Sequence, residues 1–449
     1  MYSLDVRTFA GKRIEPKPSG MPKLRTYAAL LPAVLIVSLL FPYNLQAQAI
    51  DGNLTGTVLD AAGASIPEAS IAAENSATGV RYSTTSDLSG AYRINNVPVG
   101  IYSVSAMAVG FQKVRLEKVI VELNRTSTTV ITLQVGNVSE SVTVTEAFAA
   151  VDVTTSQLQS TYARRQVLDL PMTAHLLGAN NLSLLSAGVA GSGGYGAGEG
   201  PSVGGQRPRN NSFNIEGVDN NRKDVTGSLT MISNEAVAEF TLLQNQYSAE
   251  FGHSGGGVFN TILKSGTNTL HGAAYEYLQN RNLNAVDQAD ARQGFRSNQR
   301  LDNNRFGGNI SGPIVRNKLF YFGQLEYQPI GFASSPAAPT FAPTADGYRT
   351  LQSLPGVSKA NLGVLQTYLT AAPSATQTTP VGGVNIPIGV IPIAFPAFQN
   401  TRSWIVSSDY SPGSRDQIRG RFVSRPTSGV DGSTVPGLPA FLNSRGTTT

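Results

Sequence analysis

The sequence has one long apolar segment, near its N-terminus, and no second segment of this kind. This feature limits most strongly how the chain can fold and whether it can cross a membrane. Tyr27–Phe41 is an apolar run broken only by Pro32 and Ser38; it follows a basic stretch and precedes the small residues of Ala47-Gln48-Ala49. We predict a signal peptide at residues 1–49. The alternative is an N-terminal anchor helix, although the run is shorter than the roughly 20 residues that span a bilayer. No later segment suits a membrane helix, so a membrane-bound form would have to be a β-barrel.

The composition favours short strands and tight turns. Charged residues make up only 14% of the chain, which holds 46 glycines and 25 prolines. Such a composition suits β-strands joined by turns better than helices. The chain has no cysteine, which excludes disulfides and thiolate metal sites. The net charge of +5 comes partly from the predicted signal peptide, and no basic cluster is interleaved with aromatic residues, so we expect no nucleic-acid partner.

Residues 50–136 show short alternating runs separated by turn signals, which predicts a seven-stranded β-sandwich. The string Asp87-x-x-Gly90-x-Tyr92-x-Ile94, continued by Val97-Pro98-x-Gly100-x-Tyr102, resembles the carboxypeptidase regulatory-like domain. The resemblance implies a transthyretin-like β-sandwich, a fold also grouped with carbohydrate-binding-like domains. All three histidines of the chain lie outside this domain, so no catalytic zinc set is expected. Its role is either that of a spacer or that of a module that binds a glycan or a protein.

Glycine pairs and a half-buried strand pattern mark the stretch from Val203 to Asn221. Together with Tyr247-Ser-Ala-Glu-Phe-Gly252 and Ser254–Asn268, this stretch resembles the plug of TonB-dependent outer-membrane receptors, in particular the Oar-like branch. The resemblance implies an α+β plug domain over residues 137–265. Glu216 stands where the family's DGVD-like segment usually has Asp. The plug-signature residues implied by the resemblance are Gly204, Gly205, Gln206, Arg207, Glu216, Gly217, Asp219, Glu250 and Gly252.

Two further expectations concern this region. The residues from Gln157 to Leu170 favour a helix that ends before Pro171. Glu250 lies between aromatic and glycine positions, and a buried ion pair with an arginine of the barrel wall is considered for it.

A short alternating Val/Thr segment joins the two predicted domains. In TonB-dependent receptors an extended segment before the plug pairs with TonB by β-strand addition. The segment resembles such a TonB contact, and its residues are Ser141, Val142, Thr143, Val144 and Thr145. The alternatives are the last strand of the sandwich and a plain linker.

No group of residues has the pattern of an active site. Acidic residues and a histidine near the glycine turns lack a Ser-His-Asp order, an H-E-x-x-H motif and metal-ligand spacing. They are Glu216, Asp219, Glu239, Glu250 and His253. Gly191–Gly196 fits G-x-G-x-x-G, but more glycine follows where a dinucleotide site requires a helix. We predict no catalytic, cofactor-binding or metal-binding residues and no enzyme activity.

The residues after Ser265 predict membrane-spanning β-strands that resemble the first barrel strands of Oar-like receptors. Leu319–Tyr327 alternates, with Gln324 and Glu326 on a face that suits a lumen and tyrosines on a face that suits a membrane interface. Thr401–Tyr410 and Gln417–Ser424 predict a hairpin. Pro329–Asn400, rich in Pro, Ala, Thr and Gly, predicts a long extracellular loop of weak periodicity.

The number of predicted strands is small for a barrel. A barrel that encloses a plug needs about 22 strands of roughly 10 residues each, whereas residues 266–449 supply about four to six. We therefore expect the start of an incomplete transmembrane β-barrel, in an N-terminal fragment or truncated reading frame of a larger receptor.

These inferences combine into one prediction of function. The fold is mainly β: a transthyretin-like sandwich, then an α+β TonB plug domain, then the first strands of an incomplete transmembrane β-barrel. The chain is predicted to be part of a TonB-dependent outer-membrane transporter for a siderophore, glycan or peptide. Its partners would be the TonB–ExbB–ExbD energy-coupling complex, outer-membrane lipid and the transported ligand, with sandwich and plug facing the periplasm. The alternative is a periplasmic or cell-surface carbohydrate- or protein-binding module.

Overall fold

The chain folds mainly into β-strands. A computed structural model describes residues 51–136, 141–144, 156–170, 178–191, 200–223, 227–248, 251, 254–285, 297–334, 340–391, 395–413, 416–430 and 445–448. The predicted signal peptide, most of the Gly191–Gly196 run, and Thr145, Glu250, Gly252 and His253 lie outside these residues. Across the described residues, no helix is both long and apolar enough to cross a membrane.

The first domain is a β-sandwich, as the alternating runs predict. Its strands are β1 (Gly52–Asp60), β2 (Ser70–Asn75), β3 (Arg81–Thr85), β4 (Ala91–Val97), β5 (Gly100–Met107), β6 (Lys113–Val121) and β7 (Thr126–Leu133). One sheet has the order β4-β1-β7, and the other contains β3-β2-β5-β6. Alternate residues of each strand point inward because side chains of a strand alternate between its two faces. Leu54, Tyr102 and Ile131 are fully buried in the resulting core.

The segment proposed from the sequence to contact TonB extends the second sheet of the sandwich. β8 (Ser141–Val144) pairs in parallel with β6, with Lys113 opposite Ser141 and Leu116 opposite Val144. The sheet order β3-β2-β5-β6-β8 leaves β8 at an edge. The segment therefore adopts the geometry of one stated alternative, the last strand of the sandwich. Among the described residues, no strand pairs with its outer edge.

A middle domain follows, built on the sheet order β13-β12-β15-β14-β9. Its strands are β9 (Leu158–Ala163), β10 (Val189–Ala190), β11 (Ser202–Val203), β12 (Ser212–Ile215), β13 (Val218–Asp219), β14 (Val237–Asn245) and β15 (Val258–Leu263), and its α-helix is α1 (Arg164–Asp169). Three 3-10 helices span Gly178–Leu185, Pro208–Asn210 and Asn234–Ala236. The helix predicted for Gln157–Leu170 is correct only in its second half, because β9 pairs with β14 along the domain edge.

The third part is an antiparallel sheet of seven strands. They are β16 (His271–Asn280), β17 (Leu301–Val315), β18 (Leu319–Ser334), β22 (Phe395–Tyr410), β23 (Ile418–Ser424), β24 (Thr427–Val430) and β25 (Arg445–Thr448). The order is β16-β17-β18-β22-β24-β25, and β23 also pairs with β22. A 3-10 helix, Arg281–Leu283, follows β16. The predicted hairpin is thus confirmed as β22 and β23.

The segment predicted as a long loop of weak periodicity contains two helices and three strands. It contains β19 (Thr340–Pro343), α2 (Ala345–Ser353), α3 (Lys359–Tyr368), β20 (Gln377–Val381) and β21 (Val384–Ile391). The prediction also failed at the ends of Pro329–Asn400, since β18 and β22 extend into this range and pair there. Thr344 and Ser358 cap the two helices by accepting hydrogen bonds from Gly347 N and Asn361 N.

Candidate functional site between the middle domain and the seven-stranded sheet

The middle domain and the seven-stranded sheet share one apolar core. Phe240 and Phe259 of the middle domain belong to the same buried cluster as Phe322 of β18 and Ile405 of β22. Even-numbered side chains of β18, from Phe320 to Ile330, are buried on the face that meets the middle domain. The two parts are therefore packed as one body, and the polar groups between them determine how specifically they fit.

Glu216 lies in a tight turn at this interface. Glu216 and Gly217 connect β12 to β13, with φ angles of 47° and 76°. Two-residue turns with both φ angles positive favour Asn-Gly or Asp-Gly, so glutamate is strained at the first position. Its carboxylate compensates by accepting hydrogen bonds from Leu263 N at 3.2 Å and from Arg421 Nε at 2.9 Å. Burial raises the pKa of Glu216, and the Arg421 guanidinium opposes that rise.

Arg421 of β23 joins the two parts through a cluster of charges. Its Nη2 donates to Asp409 Oδ1 of β22 at 2.8 Å, and its Nη1 donates to the carbonyl of Ser408 at 3.2 Å. Ser265 Oγ, at the end of the middle domain, donates to Asp409 Oδ2. Glu216 and Asp409 are 8% and 5% exposed, so this arginine balances two buried carboxylates. We call Glu216, Ser265, Asp409 and Arg421 the Arg421 cluster.

A second polar cluster centres on Glu326 of β18. Its Oε2 accepts hydrogen bonds from Ser233 Oγ of the middle domain at 2.6 Å and from Tyr275 OH of β16 at 2.9 Å. Gln324 Nε2 donates to both of these hydroxyl groups, at 3.0 Å and 2.6 Å. Arg305 Nε of β17 lies 3.9 Å from the same carboxylate oxygen. The alternation that placed Gln324 and Glu326 on an inward face is confirmed, but their partners were not predicted.

Lys264 and Glu235 form a third contact beside this cluster. Tyr277 OH of β16 donates to Glu235 Oε1 at 2.5 Å, and Lys264 Nζ lies 3.8 Å from Glu235 Oε2. Within the described part of the chain, Lys264 Nζ is buried without a hydrogen-bond partner. Burial is the main reason that the pKa of Lys264 falls to about 8; Arg164 adds to the fall and Glu235 opposes it.

These side chains join the middle domain to the seven-stranded sheet. Each buried carboxylate is already matched by an arginine, a lysine or hydroxyl groups. Among the residues that the structure describes, no group of three or more His, Asp or Glu side chains is placed to hold a metal ion.

The sandwich touches both parts at separate polar points. Arg419 Nη2 of β23 donates to Asp51 Oδ1 at 2.6 Å. Asn268 donates from its backbone N to Ala77 O at 3.0 Å and from Nδ2 to Thr78 O at 2.6 Å. Leu123 N donates to Glu239 Oε1 of β14 at 3.1 Å. A cavity of about 440 Å³ lies beside the Asp51–Arg419 contact and is lined, among others, by Tyr82, Tyr102, Glu216, Asp409, Arg419 and Arg421.

The residues singled out from the sequence are only partly brought together. Glu216 and Gly217 lie at the interface, whereas Asp219 is exposed and accepts hydrogen bonds from its neighbour Asn221. Four others form an exposed turn after β11, with Gly204 and Gly205 at positive φ: Gly204, Gly205, Gln206 and Arg207. The described strand β8 holds Ser141, Val142, Thr143 and Val144, away from this interface on the sandwich edge. The ion pair considered for Glu250 falls outside the described residues; Glu216 makes an ion pair of this kind with Arg421.

Two family models match parts of this chain. Residues 53–134 match the carboxypeptidase regulatory-like domain, and residues 262–449 match the outer membrane beta barrel domain. The TonB-dependent transporter Oar of Myxococcus xanthus is 25% identical over 302 residues. That match takes in 65% of this chain and 27% of Oar, so the chain spans about a quarter of the length of this relative. The resemblance of the chain to Oar-like TonB-dependent receptors with an N-terminal carboxypeptidase regulatory-like domain is confirmed.

Two solved structures of outer-membrane proteins are also similar to the chain. The outer membrane transporter YddB from Escherichia coli is 11% identical with a TM-score of 0.39, over 62% of this chain and 34% of that chain. The siderophore receptor PirA from Acinetobacter baumannii is 16% identical with a TM-score of 0.32, over 64% of this chain and 43% of that chain.

Proposed function

Starting from this relationship, we propose that the chain is part of a TonB-dependent transporter that takes a large ligand across the outer membrane. The middle domain, residues 137–265, acts as the plug, and residues 266–449 supply strands of the barrel wall. A siderophore, a glycan or a peptide is the class of ligand we consider. The protein catalyses no reaction and needs no cofactor.

One observation carries this proposal: the two faces of the seven-stranded sheet have opposite character. One face buries Gln324, Glu326 and Asp409 against the middle domain. The other face leaves Leu325, Trp404 and Val406 more than half exposed, along with similar residues on neighbouring strands. A sheet whose outer face is apolar and exposed, and whose inner face carries buried polar groups beside Phe322 and Ile405, suits a wall between lipid and a plugged lumen.

The proposed contact with TonB is the open edge of β8. A strand at a sheet edge has unpaired N–H and C=O groups, and an extended segment of TonB can pair with them. Val142 is 38% exposed at this edge. TonB, energised by ExbB and ExbD, would pull through this segment on the plug that follows it in the chain.

Two experiments test the proposal: one measures whether the protein is located in the outer membrane, and the other measures whether it binds TonB. We expect the native protein to fractionate with the outer membrane and to migrate as a heat-modifiable band. We also expect the purified chain to bind the soluble C-terminal domain of TonB from the same cell. A soluble native product would argue against transport and favour the binding-module alternative.

A proline scan of β8 tests the contact itself. Proline removes a ladder N–H and is tolerated poorly within a sheet, so V142P and V144P should abolish TonB binding. V142T retains the N–H and serves as the matched control. Deleting Ser141–Thr145 in the full-length transporter should abolish uptake in cells and leave membrane insertion intact. If both proline variants bind TonB as strongly as the parent protein does, TonB contacts another part of the chain.

A further inference from the structure

A groove of about 310 Å³ lies on the outward face of the seven-stranded sheet. Three neighbouring strands, β17, β18 and β22, form its walls. Its lining includes Phe306, Gly308, Leu325, Tyr327, Arg402 and Trp404. The buried polar side chains Gln324, Glu326 and Asp409 lie on the opposite face of the sheet, against the middle domain. The groove therefore opens away from the middle domain.

Gly308 makes room for the groove because it has no side chain. It lies opposite Leu325 on β18, and Leu325 lies opposite Trp404 on β22. Apart from the neighbours of Gly308 in the chain, a Cβ atom at this position would have one heavy atom within 4 Å, the carbonyl oxygen of Ala273 at 3.3 Å. A side chain at this position would therefore project into the groove. Phe306 and Trp404 are exposed on either side of it, so a hydrocarbon chain in the groove would contact two aromatic rings.

Arg402 lies at one end of the groove, where the outward face changes from apolar to polar. It lies opposite Tyr327, and its guanidinium carbon is 5.8 Å from the centre of that ring. The next outward residue of β22 is Trp404 in one direction and Asn400 in the other. Tyrosine and tryptophan are enriched at the level of the lipid headgroups, at the boundary between hydrocarbon and water. We therefore expect the guanidinium of Arg402 to lie at the level of the headgroups.

The charge of Arg402 is available to a ligand. Its side chain is exposed, and among the described residues no carboxylate lies within ion-pair distance of its guanidinium, whereas Arg305 and Arg421 both have such partners. The acidic residue nearest to it in the same row of outward side chains is Glu276 of β16, with two aromatic residues between them. A guanidinium binds phosphate through two parallel hydrogen bonds. The end of the groove at Arg402 is therefore complementary to an anionic phosphate group.

We propose that this groove binds a lipid with an anionic phosphate headgroup. The phosphate lies on Arg402, and one acyl chain lies in the groove over Gly308, against Phe306 and Trp404. The observation that carries this is the position of an arginine, without a carboxylate partner among the described residues, at the end of an apolar groove. The site rests on the proposed function, because this face meets lipid only if the sheet forms part of a membrane wall.

Quenching of tryptophan fluorescence by brominated lipids tests this site. Trp404 is the single tryptophan of the chain, so its fluorescence reports on the groove alone. The purified full chain is reconstituted in vesicles that mix phosphatidylcholine and phosphatidylglycerol, and the acyl chains of one lipid at a time carry bromine. We expect phosphatidylglycerol to occupy the groove about fivefold more often than phosphatidylcholine at equal amounts, which is the effect of one arginine close to an anionic headgroup.

Two variants with matched controls separate the groove from a general attraction to a charged surface. R402Q should remove the preference for phosphatidylglycerol, whereas R316Q, which removes an exposed arginine in the β17–β18 turn, should retain it. G308V should fill the groove and lower the preference. G323V adds the same side chain to the neighbouring strand, outside the groove lining and beside Ile310, and should behave like the parent protein.

The outcomes distinguish failure of the site from failure of the proposed function. Equal quenching by the two lipids in the parent protein, or a preference that R402Q and R316Q reduce alike, would overturn the site and leave the transporter proposal in place. If neither lipid quenches Trp404, this face does not meet lipid, and both the site and the role of the sheet as a membrane wall are wrong.

Discussion

At the scale of single residues, Arg421 joins the middle domain to the seven-stranded sheet through two ion pairs. It faces two buried carboxylates, Glu216 and Asp409, which come from different parts of the fold. The loss of one member of a buried ion-pair network leaves its partners charged and unpaired, and this costs more than the interaction itself contributes. Neither carboxylate has another arginine or lysine within salt-bridge distance among the described residues.

We therefore predict that substitution of Arg421 lowers the free energy of unfolding more than substitution of Glu216 does. R421Q should lower the free energy of unfolding by about 3–5 kcal/mol, because it strands two carboxylates. E216Q should lower it by only about 1–3 kcal/mol, since Arg421 keeps Asp409 and the turn keeps its shape. Urea unfolding in lipid vesicles measures both, with R93Q on the exposed sandwich surface as the control. Equal losses in R421Q and R93Q would contradict this ranking.

Lys264 gives a prediction with a defined pH window. Its pKa falls from 10.5 to about 8, so the cost of burying its charge is fully present below pH 8. Between pH 8 and 10.5 the folded form loses the proton while the unfolded form keeps it, so the cost disappears as the pH rises. K264M should stabilise the protein by about 1–3 kcal/mol at pH 7, and by much less near pH 10.

The comparison for K264M is K318M, which removes an exposed lysine in the β17–β18 turn. Glu235 retains its hydrogen bond from Tyr277 in the K264M variant, so its carboxylate stays partnered. The unfolding free energies of K264M, K318M and the parent protein, measured at pH 7 and at pH 10, test this prediction. A stabilisation that is the same at both pH values would show that packing, and not charge burial, is responsible.

At the scale of elements, the sequence predicted strands well wherever residues alternate against one buried face. The sandwich strands and the β22–β23 hairpin were found from this pattern. Glu326 and Gln324 were placed on the inward face of β18 for the same reason. Their partners were not predicted, because Ser233 is 93 residues from Glu326 in the chain and no local pattern encodes such a contact.

Two elements were predicted wrongly from the sequence, and each error has a physical reason. β9 was predicted as helix because its side chains favour a helix, but pairing with β14 overrides that preference. The module between β18 and β22 was taken for a loop because its proline and glycine content hides two short helices. The signals that could have shown them are the N-cap residues Thr344 and Ser358, each at the start of a segment with apolar side chains at helical spacing.

The module is predicted to be dispensable for the sheet. Its two small cores consist only of its own residues, such as Tyr348, Leu362 and Ile386. β18 and β22 pair without interruption up to Ser334 opposite Phe395, where the module is inserted. Replacing residues 340–391 with a linker of about five residues should change the unfolding free energy by no more than about 1 kcal/mol. A loss of trypsin resistance in β18 or β22 would show that the module supports the sheet.

At the scale of the whole molecule, three bodies are joined in two different ways. The middle domain and the sheet share an apolar core with polar clusters at its edge, whereas the sandwich has an apolar core of its own and is joined to them by hydrogen bonds and the Asp51–Arg419 ion pair. Sequence patterns predict a sandwich, a plug and barrel strands in this order, but they do not predict how firmly these parts are attached to one another. That strength depends on buried contacts between residues distant in the chain, such as Glu216 with Arg421.

The apolar outer face of the sheet yields the last prediction, which concerns the membrane. Leu325 is 57% exposed on this face and lies opposite Trp404, which is 52% exposed. In lipid, an arginine at the middle of such a face costs about 2–4 kcal/mol, whereas in water it would cost little. L325R should therefore lower the unfolding free energy in lipid vesicles by about this amount and reduce the fraction recovered in the outer membrane. L325M keeps the side chain apolar and should behave like the parent protein; an L325R variant as stable in vesicles as L325M would mean that this face does not meet lipid.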